Sequence, residues 1–231
     1  MSDERFGRRM SIFMMRHGMP EFPDDRDYVY GQTDYPLSDV GVSQAERVGL
    51  AFQNIRVQRV VSSDLLRAVR TAEIVTEAQG AKIQGVEKDP GLREIHMGYW
   101  EGLPVDDVEI RFRDEFLSRG RDIANVAPLG GESFVQLQER SVKAFERIIG
   151  DSRDLDRILL VAHAGVLWSV ISRLFGIPLG DVFNYAHDYC GTHIVERRFG
   201  DAADRFGSYR LVRYNWLPDP AIIERRVRSG R

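Results

Sequence analysis

The residues best equipped for chemistry in this chain are a basic pair, Arg16-His17, and the glycine after it. They come directly after Ile12, Phe13, Met14 and Met15, an apolar run of the kind found in a strand covered on both faces. An arginine fork can hold two oxygens of a tetrahedral anion, and an unprotonated imidazole can attack phosphorus. Gly18 has no Cβ and is expected to let the backbone approach a ligand closely. The pattern recurs later: Arg157-Ile-Leu-Leu-Val-Ala162 is the clearest buried strand, and it ends in His163-Ala164-Gly165. A further cation, Arg67, falls in the first turn of a helix expected over 64–79. Taken alone, it reads as a solvated surface arginine, since the helix dipole disfavours a cation there. Next to the helix amides it would instead complete an anion-binding corner.

The elements that must position these groups alternate along the chain. Residues 1–9 read as a polar, frayed leader, and the first strand leads into Arg16. A long polar loop, 19–37, carries Pro20, Pro23, Gly31 and Pro36. Ser38 or Asp39 can cap a helix running to about Phe52. A short strand at 59–61 ends in Ser62-Ser63-Asp64, good N-cap candidates for the helix ended by Gly80. A third strand is expected at 82–86, before an irregular stretch, 90–102, that holds Arg93, Glu94, His96, Trp100 and Glu101. Pro104 suits position N1 of a charged helix through about residue 119, expected to lie over the site as a cap. A strong amphipathic helix at 133–149, a helix over 166–174 stopped by Gly176 and Pro178, and strands at 192–195 and 209–214 close the fold.

Strands alternating with helices predict an α/β three-layer sandwich: a mostly parallel central sheet with helices on both faces. In such a sheet His17 and His163 share one edge if their strands are neighbours, and Arg67 faces the same edge. The expected organisation is a single domain over 10–217 with a helical cap insertion around 103–129. A basic tail, 218–231, is expected to be mobile or to pack on a partner subunit.

Composition narrows the function classes. With 43% hydrophobic and 29% charged residues among 231, the chain is that of a globular protein. A net charge of −3 gives no electrostatic case for nucleic acid or a membrane surface, so any anion site must be local. Cys190, the one cysteine, cannot form an internal disulfide; it lies in a strand-like run and reads as a buried, inert thiol. The basic N-terminus lacks an apolar stretch behind it, and no segment reaches transmembrane length, so a cytoplasmic location is expected. The five histidines and the acids show no metal-ligand spacing, and no metal or cofactor is expected.

Six stretches, in collinear order over roughly residues 10–200, resemble a known family. They are Met15-Arg-His-Gly18, Tyr30-Gly-Gln-Thr-Asp-Tyr-Pro-Leu-Ser38, the run from Ser62 to Ala72, Leu92-Arg-Glu-Ile-His-Met-Gly-Tyr-Trp-Glu-Gly102, Gly130-Gly-Glu-Ser133 and Val161-Ala-His-Ala-Gly165. Together they are similar to the motifs of the histidine phosphatase superfamily, the phosphoglycerate-mutase-like group. The resemblance implies that His17 takes the phosphoryl group. It implies that Arg16, Arg67 and His163, the last protonated, hold the equatorial oxygens. Glu94 would protonate the leaving alcohol and later activate water, with Glu101 a lesser candidate acid. Amides near Gly18 and Ala164 would add donors. The chemistry agrees, because phosphoryl transfer is catalysed mainly by positioning and by cationic donors.

The chain departs from the family at two places. The family usually has Ser or Thr two residues after the glycine and Asn three further on; here stand Pro20 and Pro23. Neither offers a side-chain donor, so Gln32 or the Gly31 amide is expected to supply phosphate contacts. His96 is read as structural or at the rim, His187 and His193 as structural, and Tyr99 and Trp100 as packing residues.

No long insertion of the cofactor-dependent mutase type lies between Glu94 and Gly130, so the leading expectation is a metal-independent phosphatase acting on a small phosphorylated substrate. The alternatives are a phosphomutase, or a non-catalytic phosphate-binding module that keeps the fold. The Tyr30–Asp34 stretch is similar to that of α-ribazole phosphatases. Substrate identity is expected to lie in 19–30 and 103–129, where Arg111, Phe112, Arg113 and Phe116 suit a small ester or a phosphorylated protein. Oligomeric state is not readable in the sequence; a homodimer is one option, since dimers are common among such folds.

Overall fold

The apolar run that precedes Arg16 becomes the inner strand of the sheet, and everything else is placed relative to it. A computed structural model describes residues 8–80, 85–199 and 209–218. In chain order the elements are β1 (Arg9–Arg16), β2 (Tyr28–Val29), α1 (Asp39–Phe52), β3 (Arg59–Ser62), α2 (Leu66–Glu77), β4 (Glu87–Lys88), β5 (Leu103–Pro104), α3 (Val105–Arg111), α4 (Arg113–Arg121), α5 (Phe134–Asp151), β6 (Arg157–Ala162), α6 (Ala164–Phe175), β7 (Thr192–Arg198) and β8 (Tyr209–Trp216). Short 3-10 segments occupy Pro90–Leu92, Gly98–Trp100 and Leu179–Asn184.

The main sheet has the order β4-β3-β6-β1-β7-β8. β4, β3, β6 and β1 run parallel, and β7 and β8 add an antiparallel pair beside β1. This is the mostly parallel α/β sheet that the alternation of elements predicts. Side chains of β1 alternate between two cores, as the pleat requires. Met10, Ile12 and Met14 pack with Phe145 and Ile148 of α5 and with Trp168 and Ile171 of α6. Phe13 and Met15 pack on the other face with Val48 and Phe52 of α1 and Ala68, Ala72 and Val75 of α2. Helices therefore cover both faces. The register matters most for function: Arg16 pairs with Ala162, so His17 and His163 leave the sheet side by side.

Helix ends obey their local signals in part. Ser38 caps α1 by accepting from the Gly41 amide at 3.1 Å. Ser133 and Gln136 form a reciprocal capping box at the start of α5. At α2 the expected caps do not bond the helix amides: Asp64 is paired with Arg93, Ser62 bonds a carbonyl, and Ser63 faces His163 and accepts from the Leu65 amide that precedes the helix. Instead Asp34, in the long loop, accepts from the Leu66 amide at 2.7 Å. The expected 104–119 helix is two helices, because Phe112 leaves helical geometry at φ −123°. Its ring lies 6.4 Å from that of Trp100. Pro104 belongs to β5, which pairs with β2, rather than to the helix.

The remaining expectations also meet differences. Arg9 is already in β1, and Arg8 binds Asp156 and the Arg153 carbonyl, so the leader does not extend to residue 9; residues 1–7 lie outside the described residues. The third strand is found at Glu87–Lys88, while most of the 82–86 expectation lies outside the described residues, as does the tail beyond 218. Cys190 is in a turn with φ +60°, not in a strand; burial pushes its thiol up to about 12. Tyr99 is exposed rather than packed, whereas Trp100 is buried. Among the described residues no helix is long and apolar enough to cross a membrane.

Candidate active site

The edge of the sheet where β1 and β6 end gathers Arg16, His17, Arg67, Glu94 and His163. The His17 amide donates to the Ala162 carbonyl at 3.0 Å, which fixes the residue against β6. Its Nδ1 lies 2.7 Å from the Gly18 carbonyl oxygen. A carbonyl can only accept, so Nδ1 carries the proton and Nε2 presents its lone pair. The Arg67 Nε–H points to that lone pair at 3.3 Å. The rings of His17 and His163 stand 4.9 Å apart between centroids.

Burial, then the charges of Arg67 and Arg16, holds His17 well below the ordinary histidine range against the opposing Gly18 hydrogen bond. The ring is therefore neutral at pH 7, as a nucleophile must be. His163 is held down in the same way by burial, Arg67, His17 and Arg16, which favours a neutral ring in the absence of a bound anion. A neutral imidazole still donates one N–H, and a bound dianion would raise its pKa. His163 Nε2 lies 2.9 Å from Ser63 Oγ, while its Nδ1 and the Arg16 Nε are buried without a partner.

The two arginines are fixed by carbonyls and rings. Arg67 is fully buried at the start of α2, not solvated. Its fork donates to Gly31 and Thr33 carbonyls at 2.6 and 2.8 Å and lies 5.0 Å from the Tyr30 ring. Arg16 donates to the His187 carbonyl and to the Tyr30 hydroxyl, with its guanidinium 3.9 Å above the Tyr189 ring.

Glu94 accepts from the Ile95 and Gly165 amides at 2.8 and 3.1 Å. Burial pushes its carboxyl up, against these two donors and the nearby arginines. A Cβ on Gly165 would stand 2.4 Å from Glu94 Oε1, so that glycine makes room for the acid.

Several expected contacts turn out to support the site rather than face it. Gly18 makes its close approach to α1: a Cβ there would meet the Gly41 carbonyl oxygen at 2.5 Å, and its amide is taken by Thr71. Gln32 gives its amide to Glu101 and its side chain to the Glu94 carbonyl. Gly31 holds Arg67 and sits at φ +25°. Glu101 accepts from the amides of Gln32, Thr33 and Met97 and from the Thr33 hydroxyl, so it anchors the loop. Pro20 bridges to Leu37, and Phe22 packs among Tyr28, Tyr30 and Tyr35. Among the described residues no cluster of His, Cys, Asp and Glu could hold a metal ion.

Beside Glu94 opens a cavity of ≈ 340 Å³ whose wall includes Arg16, Phe134, Ala164, Val182, Phe183 and Tyr185. None of its lining comes from the 103–129 segment expected to cap the site.

The model of the histidine phosphatase superfamily (branch 1) matches residues 12–204. The chain belongs to that superfamily. This histidine phosphatase is 34% identical over 174 residues to the glucosyl-3-phosphoglycerate phosphatase of Mycolicibacterium vanbaalenii, covering 73% of this chain and 75% of the relative. It is 31% identical over 172 residues to the "Probable phosphoglycerate mutase GpmB" of Yersinia pestis, covering 73% and 76%. Among solved structures it is similar to the α-ribazole phosphatase of Shigella flexneri, with a TM-score of 0.77 at 25% identity over 90% of this chain and 96% of that one. The mycobacterial glucosyl-3-phosphoglycerate phosphatase gives a TM-score of 0.76 at 27% identity over 90% and 99%.

Sequence reasoning missed four contributors to this phosphatase site: Tyr30 and Tyr189, which seat the arginines, Ser63 on His163, and the His187 carbonyl on Arg16. Tyr30 and Ser63 stand inside the matched motifs and were within reach. Tyr189 and His187 had no local signal, since the turn before β7 reaches Arg16 only through the sheet order.

Proposed function

We propose that this chain is a phosphatase that hydrolyses a phosphate monoester through a phosphohistidine on His17, without a metal ion. The observation that carries the reading is the 2.7 Å contact from His17 Nδ1 to the Gly18 carbonyl, which leaves Nε2 as the attacking atom beside Arg67.

In the first step the Nε2 lone pair attacks phosphorus and the P–O bond to the alcohol breaks. Glu94, its carboxyl raised by burial, gives its proton to the departing oxygen. Arg16 and Arg67 supply positive charge and His163 an N–H to the three phosphoryl oxygens, where the transition-state charge resides. In the second step Glu94 takes a proton from water, the water oxygen attacks phosphorus, and the P–N bond breaks. Inorganic phosphate leaves, and both His17 and Glu94 return to their starting forms.

The phosphomutase reading is favoured by the relatives named as mutases, and it differs only in the acceptor, an alcohol in place of water. The one cysteine, buried at Cys190, fits a reducing compartment, and the cytoplasm is the proposed location.

The test measures product partition from a phosphate monoester in chelator-treated buffer. Wild type should release one inorganic phosphate per alcohol freed, and His17→Ala should be slower by at least about 10³-fold. Phosphate transferred to a second hydroxyl in preference to water would favour the mutase, and a His17→Ala enzyme at wild-type rate would overturn both.

A further inference from the structure

The cavity beside Glu94 bears on the alcohol half of the substrate, provided that the site is a phosphatase as proposed. Arg16 and Glu94, two residues of the phosphoryl site, belong to its lining. Its walls are Phe134, Val182, Phe183 and Tyr185, the last three on or just after the 3-10 segment Leu179–Asn184. Phe183 is 82% exposed at the rim, a large apolar side chain with little cover of its own.

The Arg and Glu side chains of this lining are Arg16 and Glu94 alone, both shared with the phosphoryl site. Arg16 already gives its fork to the His187 carbonyl and the Tyr30 hydroxyl, and its face to Tyr189. Glu94, held toward its protonated form by burial, brings no positive charge to pair with a second carboxylate. His187, the one histidine in the lining, is held down to about 4 by burial and Arg16. Both of its ring nitrogens are engaged inside the fold, Nδ1 with His193 and Nε2 with the Tyr214 hydroxyl. His193 Nδ1 accepts from the Asn215 amide, so the whole chain of rings is satisfied in its neutral form. The lining thus has nothing to pair with a second anionic group, and it offers apolar and aromatic surface instead.

We infer that the alcohol released by this enzyme is an apolar, ring-bearing body with no second negative charge, seated against Phe134, Val182, Phe183 and Tyr185 while its ester oxygen faces Glu94. The substrate class is the phosphate monoester of such an alcohol, rather than a phosphorylated hydroxy acid.

The test compares kcat/KM for benzyl phosphate, glycerol 3-phosphate and 3-phosphoglycerate, three esters of primary alcohols, with 4-nitrophenyl phosphate as an ester that needs little help from an acid. Wild type should favour benzyl phosphate over 3-phosphoglycerate by about tenfold or more, chiefly through KM, as expected for burial of one ring. The double variant Phe183→Ala/Tyr185→Ala should shrink that ratio about tenfold, and Val182→Arg should raise kcat/KM for 3-phosphoglycerate; thermal unfolding of each variant checks that it is folded. Equal or better use of 3-phosphoglycerate by wild type, or a benzyl preference untouched by the double variant, overturns the inference and leaves the phosphatase reading standing. Failure to hydrolyse any of the four esters, 4-nitrophenyl phosphate included, overturns both.

Discussion

At the scale of single residues, the site works by fixing which atom carries which proton. The Gly18 carbonyl sets the His17 tautomer, and burial with two arginines keeps the ring unprotonated. Burial acts in the opposite sense on Glu94, favouring its protonated form. Two titratable groups are therefore driven toward base and acid at the same pH, the arrangement a phosphoryl transfer from an alcohol requires. Phosphorylation of the enzyme should fall with acid as His17 protonates below the ordinary histidine pKa, and fall with base as Glu94 ionises above the ordinary carboxylate pKa. Glu94→Gln should remove the basic limb of the kcat/KM profile and lower kcat for an alkyl ester by about 10²–10⁴-fold, with a smaller loss for 4-nitrophenyl phosphate. Equal losses for the two esters would show that Glu94 is not the acid. Arg16, His17, Arg67, Glu94 and His163 could all be singled out from sequence because each sits in a matched motif. The protonation of His163 could not, since it depends on how deeply the ring lies beside other cations.

At the scale of elements, the loop between β1 and α1 is what joins the parts. Asp34 caps α2 across 32 residues of sequence, and Gly31 and Thr33 hold the Arg67 fork. Glu101 fastens the same loop through the Gln32 and Thr33 amides and the Thr33 hydroxyl, and also accepts from the Met97 amide. Removing that carboxylate leaves several partly buried donors unpaired, at a cost of about 2 kcal/mol or more. Glu101→Ala should lower stability by that order in urea titration and raise KM through the displaced Arg67, with kcat for 4-nitrophenyl phosphate changed less than KM. A variant of unchanged KM would mean the loop keeps Arg67 in place without Glu101. The starts of α1 and α5 and the end of α6 were readable because Ser38, Ser133 and Gly176 lie next to them in sequence, whereas α6 begins at Ala164, two residues before the expected start and without a side-chain cap. The α2 cap was not readable, because Asp34 lies 32 residues away, and neither was the break at Phe112, which no local breaker residue signals.

At the scale of the whole molecule, one decision of topology builds the site: β1 lies between parallel β6 and antiparallel β7. The first neighbour delivers His163, and the turn before the second delivers Tyr189 and the carbonyl of His187. The alternation of elements was enough to foresee a mostly parallel sheet; the closing antiparallel pair needed the structure. This packing buries His17, His163, His187 and His193 as neutral rings, the last two held down to about 4 and 3. Unfolded histidines bind protons near their ordinary pKa, so their contribution to stability is complete above about pH 6.5 and is lost as pH falls toward the folded values. Glu94, with its pKa raised, works in the opposite sense but is a single group. Urea titration at pH 7.5 and 5.5 should find the protein less stable at the lower pH, with His187 and His193 together accounting for about 2.5 kcal/mol. Equal stability at the two values would mean those rings are not buried as described. The central claim concerns one nitrogen atom, and it is tested most directly by mixing enzyme with excess phosphate monoester, quenching in alkali within a turnover and mapping the phosphorylated peptide by mass spectrometry. The phosphohistidine mechanism predicts an acid-labile phosphoryl group on His17 that is absent from His17→Ala. A phosphoryl group found on any other side chain of the wild-type enzyme, or turnover without a phosphoenzyme, would contradict it.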